Sequence, residues 1–147
     1  ELNVPRILIL NYPSNPAGSS LNSSQLKSIA AIARKHEILI LSDEIYGDVH
    51  HTGEHESIAK YYPEGTIVSS GLSKWCGAGG WRLGVSLLAE NMEAEFKAAL
   101  IGIASETYSC APTPVQAAAI VAYNYDDRIQ NYIAAQNHVL QKIEGLK

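Results

Sequence analysis

Three short apolar runs constrain this chain more than any other feature: "RILIL" (6–10), "EILILSD" (37–43) and "GTIVSS" (65–70). Each is bounded by turn residues and too short for a typical helix, so each reads as a buried strand, the second and third covered on both faces. The segments between them exceed the dozen or so residues that a parallel crossover needs, which places the three side by side in a parallel sheet. In the first crossover Leu26, Ile29, Ala30, Ile32 and Ala33 share one helical face, and Asn22 with Gln25 forms a box-like helix start. A fourth run, "WRLGVSLL" (81–88), follows a glycine-rich loop too short for a crossover, so it is expected to run antiparallel. Three helices follow, over 91–104, over 113–124 and from Asp126 onward, the last with Ile129, Tyr132, Ile133, Gln136, Leu140 and Ile143 on one face. The expected class is α/β: part of a three-layer α/β/α arrangement on a mostly parallel sheet, with an antiparallel last strand. Four strands do not complete a doubly wound sheet of the usual size. Residues 1–147 are therefore expected to be one segment of a longer subunit, without an internal domain boundary.

Composition removes several functional classes. With 46% apolar and 18% charged residues the chain can offset its conformational entropy by burial and should fold. Its net charge of −4 comes from 15 acids against 11 scattered bases, which makes nucleic acid and anionic membrane poor partners. No apolar run approaches the roughly 20 residues that span a bilayer, and the first residues lack a secretory pattern. Cys76 and Cys110 make neither a disulfide framework nor a CxxC pair, so both read as reduced thiols of a cytoplasmic protein.

Ligands of α/β sheets bind at the carboxyl ends of the parallel strands. Polar clusters follow all three runs there, and they bring Asn15, Asp43, Tyr46, Ser70, Ser73 and Lys74 toward one edge, with Arg82 just beyond. Nucleotide motifs fail on spacing: no GxxxxGK is present, and "GAGGWR" has arginine where GxGxxG needs its last glycine. A strand-end lysine beside an anion-binding arginine suits a phosphorylated carbonyl cofactor, pyridoxal 5'-phosphate (PLP), which uses a lysine, an acid for the ring nitrogen and a separate phosphate site.

The stretches "NPAG", "SDEIY" and "SKWCGAGGWRLG" resemble the three signatures of the class I/II aminotransferases, fold-type I PLP enzymes, and stand in family order. The resemblance spans essentially the whole chain and implies the central part of the large, PLP-binding domain. It implies that Lys74 forms the Schiff base and later carries a proton between the substrate α-carbon and the cofactor C4′. The attacking amine must be neutral, a form that burial and neighbouring cations favour. Asp43 would face the pyridine nitrogen, Tyr46 and Asn15 would hydrogen-bond the phenolic oxygen, and Arg82 would grip the phosphate. Many members carry serine where this chain has Gly71, so Ser73, or secondarily Ser70, is expected to supply the phosphate hydroxyl. Against these stand bland alternatives: a surface lysine, a turn cap for Asp43 or Glu44, a turn asparagine, and a strand-edge ion pair for Arg82.

The implied reaction moves an amino group from an L-amino acid to a 2-oxo acid. The same residues would serve a carbon–sulfur lyase, or a non-catalytic PLP-sensing domain of a transcription regulator. Family dimers bring a stretch like "ETYSCAPTP" near the partner's active site, which would place Tyr108 and Ser109 there and implies a homodimer. Some dicarboxylate-specific members carry an arginine shortly before it, where this chain reads "GIASE". The family's N-terminal phosphate loop, ring-stacking aromatic and substrate-carboxylate arginine have no counterpart in residues 1–147. This segment alone is thus expected to bind PLP poorly and not to transaminate. His50, His51 and His55 lack a scaffold and a completing ligand set, so no metal is expected. Trp75 and Trp81 read as packing residues, and Cys76 has no activating partner beyond Lys74.

Overall fold

The computed structural model describes residues 4, 6–50 and 54–144. Its elements are β1 (Arg6–Asn11), α1 (Ser23–Lys35), β2 (Ile38–Asp43), β3 (Thr66–Gly71), β4 (Gly84–Leu88), α2 (Ala94–Thr107), α3 (Thr113–Ala122) and α4 (Asp127–Glu144). The sheet order is β1-β2-β3-β4. β1, β2 and β3 are parallel and β4 is antiparallel to β3, as the connection lengths require.

α1 begins where the expected box lies. The Asn22 side chain accepts from the Gln25 N–H at 3.0 Å, and the Gln25 side chain accepts from the Asn22 N–H at 3.0 Å, satisfying two of the donors a helix start leaves free. Leu26, Ala30 and Ala33 then point down onto Leu8, Leu10 and Ile40, forming a core with Tyr12, Ile58 and Tyr62. Ile32 departs from expectation and is 58% exposed. At about 100° per residue it stands roughly a third of a turn off the Leu26 stripe, beyond the reach of the sheet.

β1 departs on one face from the buried strand expected of it. Side chains alternate across a strand, so Leu8 and Leu10 meet α1 while Ile7 and Ile9 face the other way, at 64% and 67% exposure. Among the described residues no helix covers that face of β1. β3 is the strand shielded on both sides, with Thr66, Ile67 and Val68 all buried.

A second core gathers Leu72, Trp75 and Leu83 against Val115, Ala119 and Ala122 of α3, with Ile129 and Ile133 of α4 beside them. Trp75 is 1% exposed and stacks on Tyr125 at 5.0 Å with 18° between the rings. Gln136 of α4 donates to the Trp75 carbonyl at 2.9 Å. Trp81, expected to pack, is 58% exposed because it closes a short 3-10 turn, Gly79–Trp81, on the outer side of the loop. On α4, Tyr132 and Ile143 are exposed where the periodicity suggested burial, since the helix touches the second core mainly through Ile129, Ile133 and Gln136. Among the described residues no helix is long and apolar enough to cross a membrane, and Cys76 and Cys110 are free thiols.

These two faces of α1 make opposite predictions. Leu26→Ala should cost about 3 kcal/mol of stability by urea denaturation, the usual scale for emptying a fully buried leucine site. Ile32→Ala should stay within about 0.5 kcal/mol of the parent.

Candidate active site

The carboxyl ends of the parallel strands set the site. Register pairs Asn11 with Asp43, and Asp43 with Ser69, so the three share one sheet face. The Asn11 amide donates to Asp43 Oδ2 at 2.9 Å, while Asp43 Oδ1 accepts from the Ile45 N–H at 3.3 Å. The second bond is the turn cap foreseen as the bland reading, and the first orients the carboxylate. Asn11 Oδ1 also accepts from the Asn15 N–H at 3.2 Å, so one side chain ties the loop after β1 to the acid after β2. Sequence reasoning passed over Asn11. Its signal was a lone polar side chain closing an apolar strand beside "YPSNP".

The loop carrying Asn15 folds back on itself through Ser14 and Ser19 and contains cis peptides at Tyr12–Pro13 and Asn15–Pro16. Asn15 Nδ2 donates to the Tyr46 hydroxyl at 3.1 Å. Tyr46 sits in a turn closed by the Gly47 N–H on the Glu44 carbonyl at 2.8 Å. Lys74 Nζ lies 5.2 Å from the centre of the Tyr46 ring, within cation–π range. Asn15, Asp43, Tyr46 and Lys74 are thereby joined through Asn11 in one chain of contacts.

Lys74 is solvent-exposed rather than buried. The inward position next to it belongs to Trp75, whose ring occupies the second core, and that anchoring turns the lysine outward. The loop from 72 to 83 is closed by the Ala78 N–H on the Leu72 carbonyl at 3.1 Å and the Leu72 N–H on the Leu83 carbonyl at 3.3 Å. Arg82 stands at its exit with φ +55°, a left-handed conformation uncommon and costly for a non-glycine residue. Its guanidinium donates to the Gly79 carbonyl at 2.7 Å, and among the described residues no carboxylate pairs with it. The foreseen strand-edge ion pair is therefore not what holds Arg82.

Gly71 has a steric reason to be glycine. A Cβ at that position would stand 2.6 Å from the Leu83 carbonyl oxygen, because β4 leaves the loop directly over it. Ser73, half-buried and adjacent to Lys74, keeps a hydroxyl in the loop. Ser70 does not belong to this face: it alternates away from Ser69 and lines a cavity of about 680 Å³ with Glu44, His55, Val68, Tyr123 and Tyr125.

That opposite face carries a second polar cluster. Glu44, 7% exposed, accepts from the hydroxyls of Ser42 and Ser57 at 2.7 Å each and from Tyr12 at 3.3 Å, and meets His55 Nε2 at 2.7 Å. Burial by itself would raise its carboxyl, but the hydrogen bonds from His55, Ser42 and Ser57 outweigh it and hold the group below the ordinary range. Burial, and then the Glu44 charge, push the Tyr12 phenol upward, which keeps it a donor. His55 lies in no strand or helix, as expected, but is fixed by Glu44. His50 engages Asn137 through its backbone N–H at 3.1 Å, and His51 lies outside the described residues. Among those described, no three His, Cys, Asp or Glu side chains converge as a metal site would need. Burial raises the Cys76 thiol, the reverse of activation. Tyr108 is 69% exposed, beside Ser109 in a left-handed conformation at φ +63°.

Comparison with known proteins bears on the family of the chain. The family model for aminotransferases of class I and II matches residues 1–145. An aspartate aminotransferase of Bacillus sp. strain YM-2 is 42% identical over 123 residues, 81% of this chain and 30% of the relative. A probable N-acetyl-LL-diaminopimelate aminotransferase of Bacillus subtilis is 36% identical over 126 residues, 84% of this chain and 31% of the relative. Among solved structures, a tetra mutant of Thermus thermophilus aspartate aminotransferase complexed with tryptophan superposes with a TM-score of 0.87 at 25% identity, covering 96% of this chain and 36% of that one. The aromatic aminotransferase of Pyrococcus horikoshii gives 0.81 at 29% identity, covering 90% and 35%. The chain spans about a third of the length of the curated relatives it matches.

Two measurements follow from this geometry. Gly71→Ser should lower stability by about 1–3 kcal/mol, the usual cost of forcing atoms into occupied space, seen as a lower urea midpoint with an unchanged slope. Glu44 has its carboxyl below the ordinary value of 4.5, so its contribution is complete above that value and is lost as pH falls through the lowered one. An acid-unfolding series should show this loss below pH 4.5, and Glu44→Gln should flatten that limb.

Proposed function

The chain belongs to the class I and II aminotransferase family, and on that footing we propose that it is the central part of the large domain of a PLP-dependent aminotransferase. Its substrates are an L-amino acid and a 2-oxo acid, as in amino acid metabolism. The observation that carries this reading is the contact chain Asp43–Asn11–Asn15–Tyr46–Lys74 at the carboxyl ends of the parallel strands.

The donor set fits the cofactor. PLP, when bound, supplies a protonated pyridine ring that withdraws electrons from the substrate α-carbon. Asp43, oriented by Asn11, is an acceptor for the ring N–H. The Asn15 amide and Tyr46 hydroxyl are the pair for the phenolic oxygen. Lys74 provides the only lysine amine in the loop, able to bond the aldehyde carbon and then, once released, to take a proton from the substrate α-carbon and return it at C4′. Arg82, which no carboxylate pairs among the described residues, offers a planar fork for the phosphate, a task it performs better than an ammonium. Its strained backbone is consistent with a loop built around that position. Ser73 adds a hydroxyl nearby. The same reading has the complete protein as a cytoplasmic homodimer. Support for this is the family membership and the two free cysteines.

Titration of the complete protein with PLP, followed by visible absorption, tests this. A yellow band should form and should be absent in Lys74→Ala. Arg82→Ala should weaken binding roughly ten- to a hundredfold, the range expected for losing charge-assisted hydrogen bonds. An identical band in the parent and in Lys74→Ala would refute the assignment of the lysine.

A further inference from the structure

We propose that Glu44 is a positioning residue for this site, an inference that rests on the cofactor reading above: from the opposite face of the sheet it sets the aim of Asp43 and Tyr46. A buried charged carboxylate is costly unless its partners are complete, and an apolar side chain of similar size often gives equal stability. What such a cluster can add is a defined geometry. Here the donors come from the end of β1 (Tyr12), from β2 (Ser42) and from the segment before β3 (His55 and Ser57), and all end on one carboxylate.

Strand alternation makes the coupling direct. Tyr12 follows Asn11 and Glu44 follows Asp43, so these two cluster members are chain neighbours to residues on the cofactor face. The Tyr12 N–H donates to the Asp43 carbonyl at 3.2 Å, and the Glu44 N–H donates to the Ser69 carbonyl at 2.9 Å. The turn bearing Tyr46 is closed on the Glu44 carbonyl. Its Gly47 lies so near His55 that a Cβ there would be 3.0 Å from the ring. A shift of the Glu44 cluster must therefore move the backbone that carries both Asp43 and Tyr46.

The test uses the complete protein and follows the side-chain amide signals of Asn11 and Asn15 by NMR in the parent, in Glu44→Gln and in the milder Ser57→Ala, beside PLP titration of each. Both variants should shift the two amide signals, although neither asparagine touches the cluster. Glu44→Gln should weaken PLP binding about tenfold, the scale seen when partners that orient ligating groups are lost. If Glu44→Gln does not fold, Ser57→Ala carries the same expectation with a smaller change. Unmoved amide signals would overturn the positioning role whatever happens to PLP. Moved signals with unchanged PLP affinity, while Lys74→Ala loses its band, would overturn it too. Moved signals in a parent that binds no PLP would instead overturn the cofactor reading, and this role with it.

Discussion

Glu44 holds a charged carboxylate at 7% exposure, and the groups that make this tolerable come from three separate parts of the chain. Its cluster therefore acts as a clamp on the strand ends rather than as a local turn feature. Asp43 precedes it and must point the opposite way, because successive side chains of a strand leave on opposite faces. One dipeptide thus supplies a carboxylate that ties the fold together and another that Asn11 and the Ile45 N–H hold on the opposite face. Asn11 and Tyr12 repeat the arrangement one strand over, Tyr12 within the clamp and Asn11 against Asp43.

The loop from 72 to 83 solves a different problem. It leaves Lys74 and Arg82 exposed while burying Trp75 between them. Trp75 fills the second core against Tyr125 and the helices, so Lys74 is left facing Tyr46. Arg82 is held in a left-handed conformation where β4 begins, and Gly71 lets that strand pass close above β3. The serine often found at this position in the family has no room here, which makes the departure a packing requirement.

Much of the fold was legible in the sequence. The four strands, their directions and the α1 capping box all follow from patterns that are short in range: apolar period, connection length and helix-start chemistry. The signature stretches singled out Asn15, Asp43, Tyr46 and Lys74, which the fold brings into one chain of contacts, and Arg82 at the loop exit. Ser70 was misplaced because proximity in sequence to Lys74 does not say on which face of β3 a side chain leaves; the register with Asp43 does. Asn11 was missed since a single asparagine after an apolar strand looks like any turn residue until its partners are in place.

Exposure is where local pattern ran out. Ile7, Ile9, Ile32 and Trp81 are as apolar as their buried neighbours, and only the positions of α1, α3 and α4 against the sheet divide them. The histidines show the same limit: His55 is ordered by a carboxylate eleven residues away. By itself the sequence determined which segments are strand or helix and which chemical groups gather at the strand ends, since these depend on neighbours along the chain. The tertiary structure alone decided that Glu44 is buried in a hydrogen-bonded cluster, that Lys74 is exposed, and that Gly71 must lack a side chain, since these depend on contacts between segments far apart in sequence.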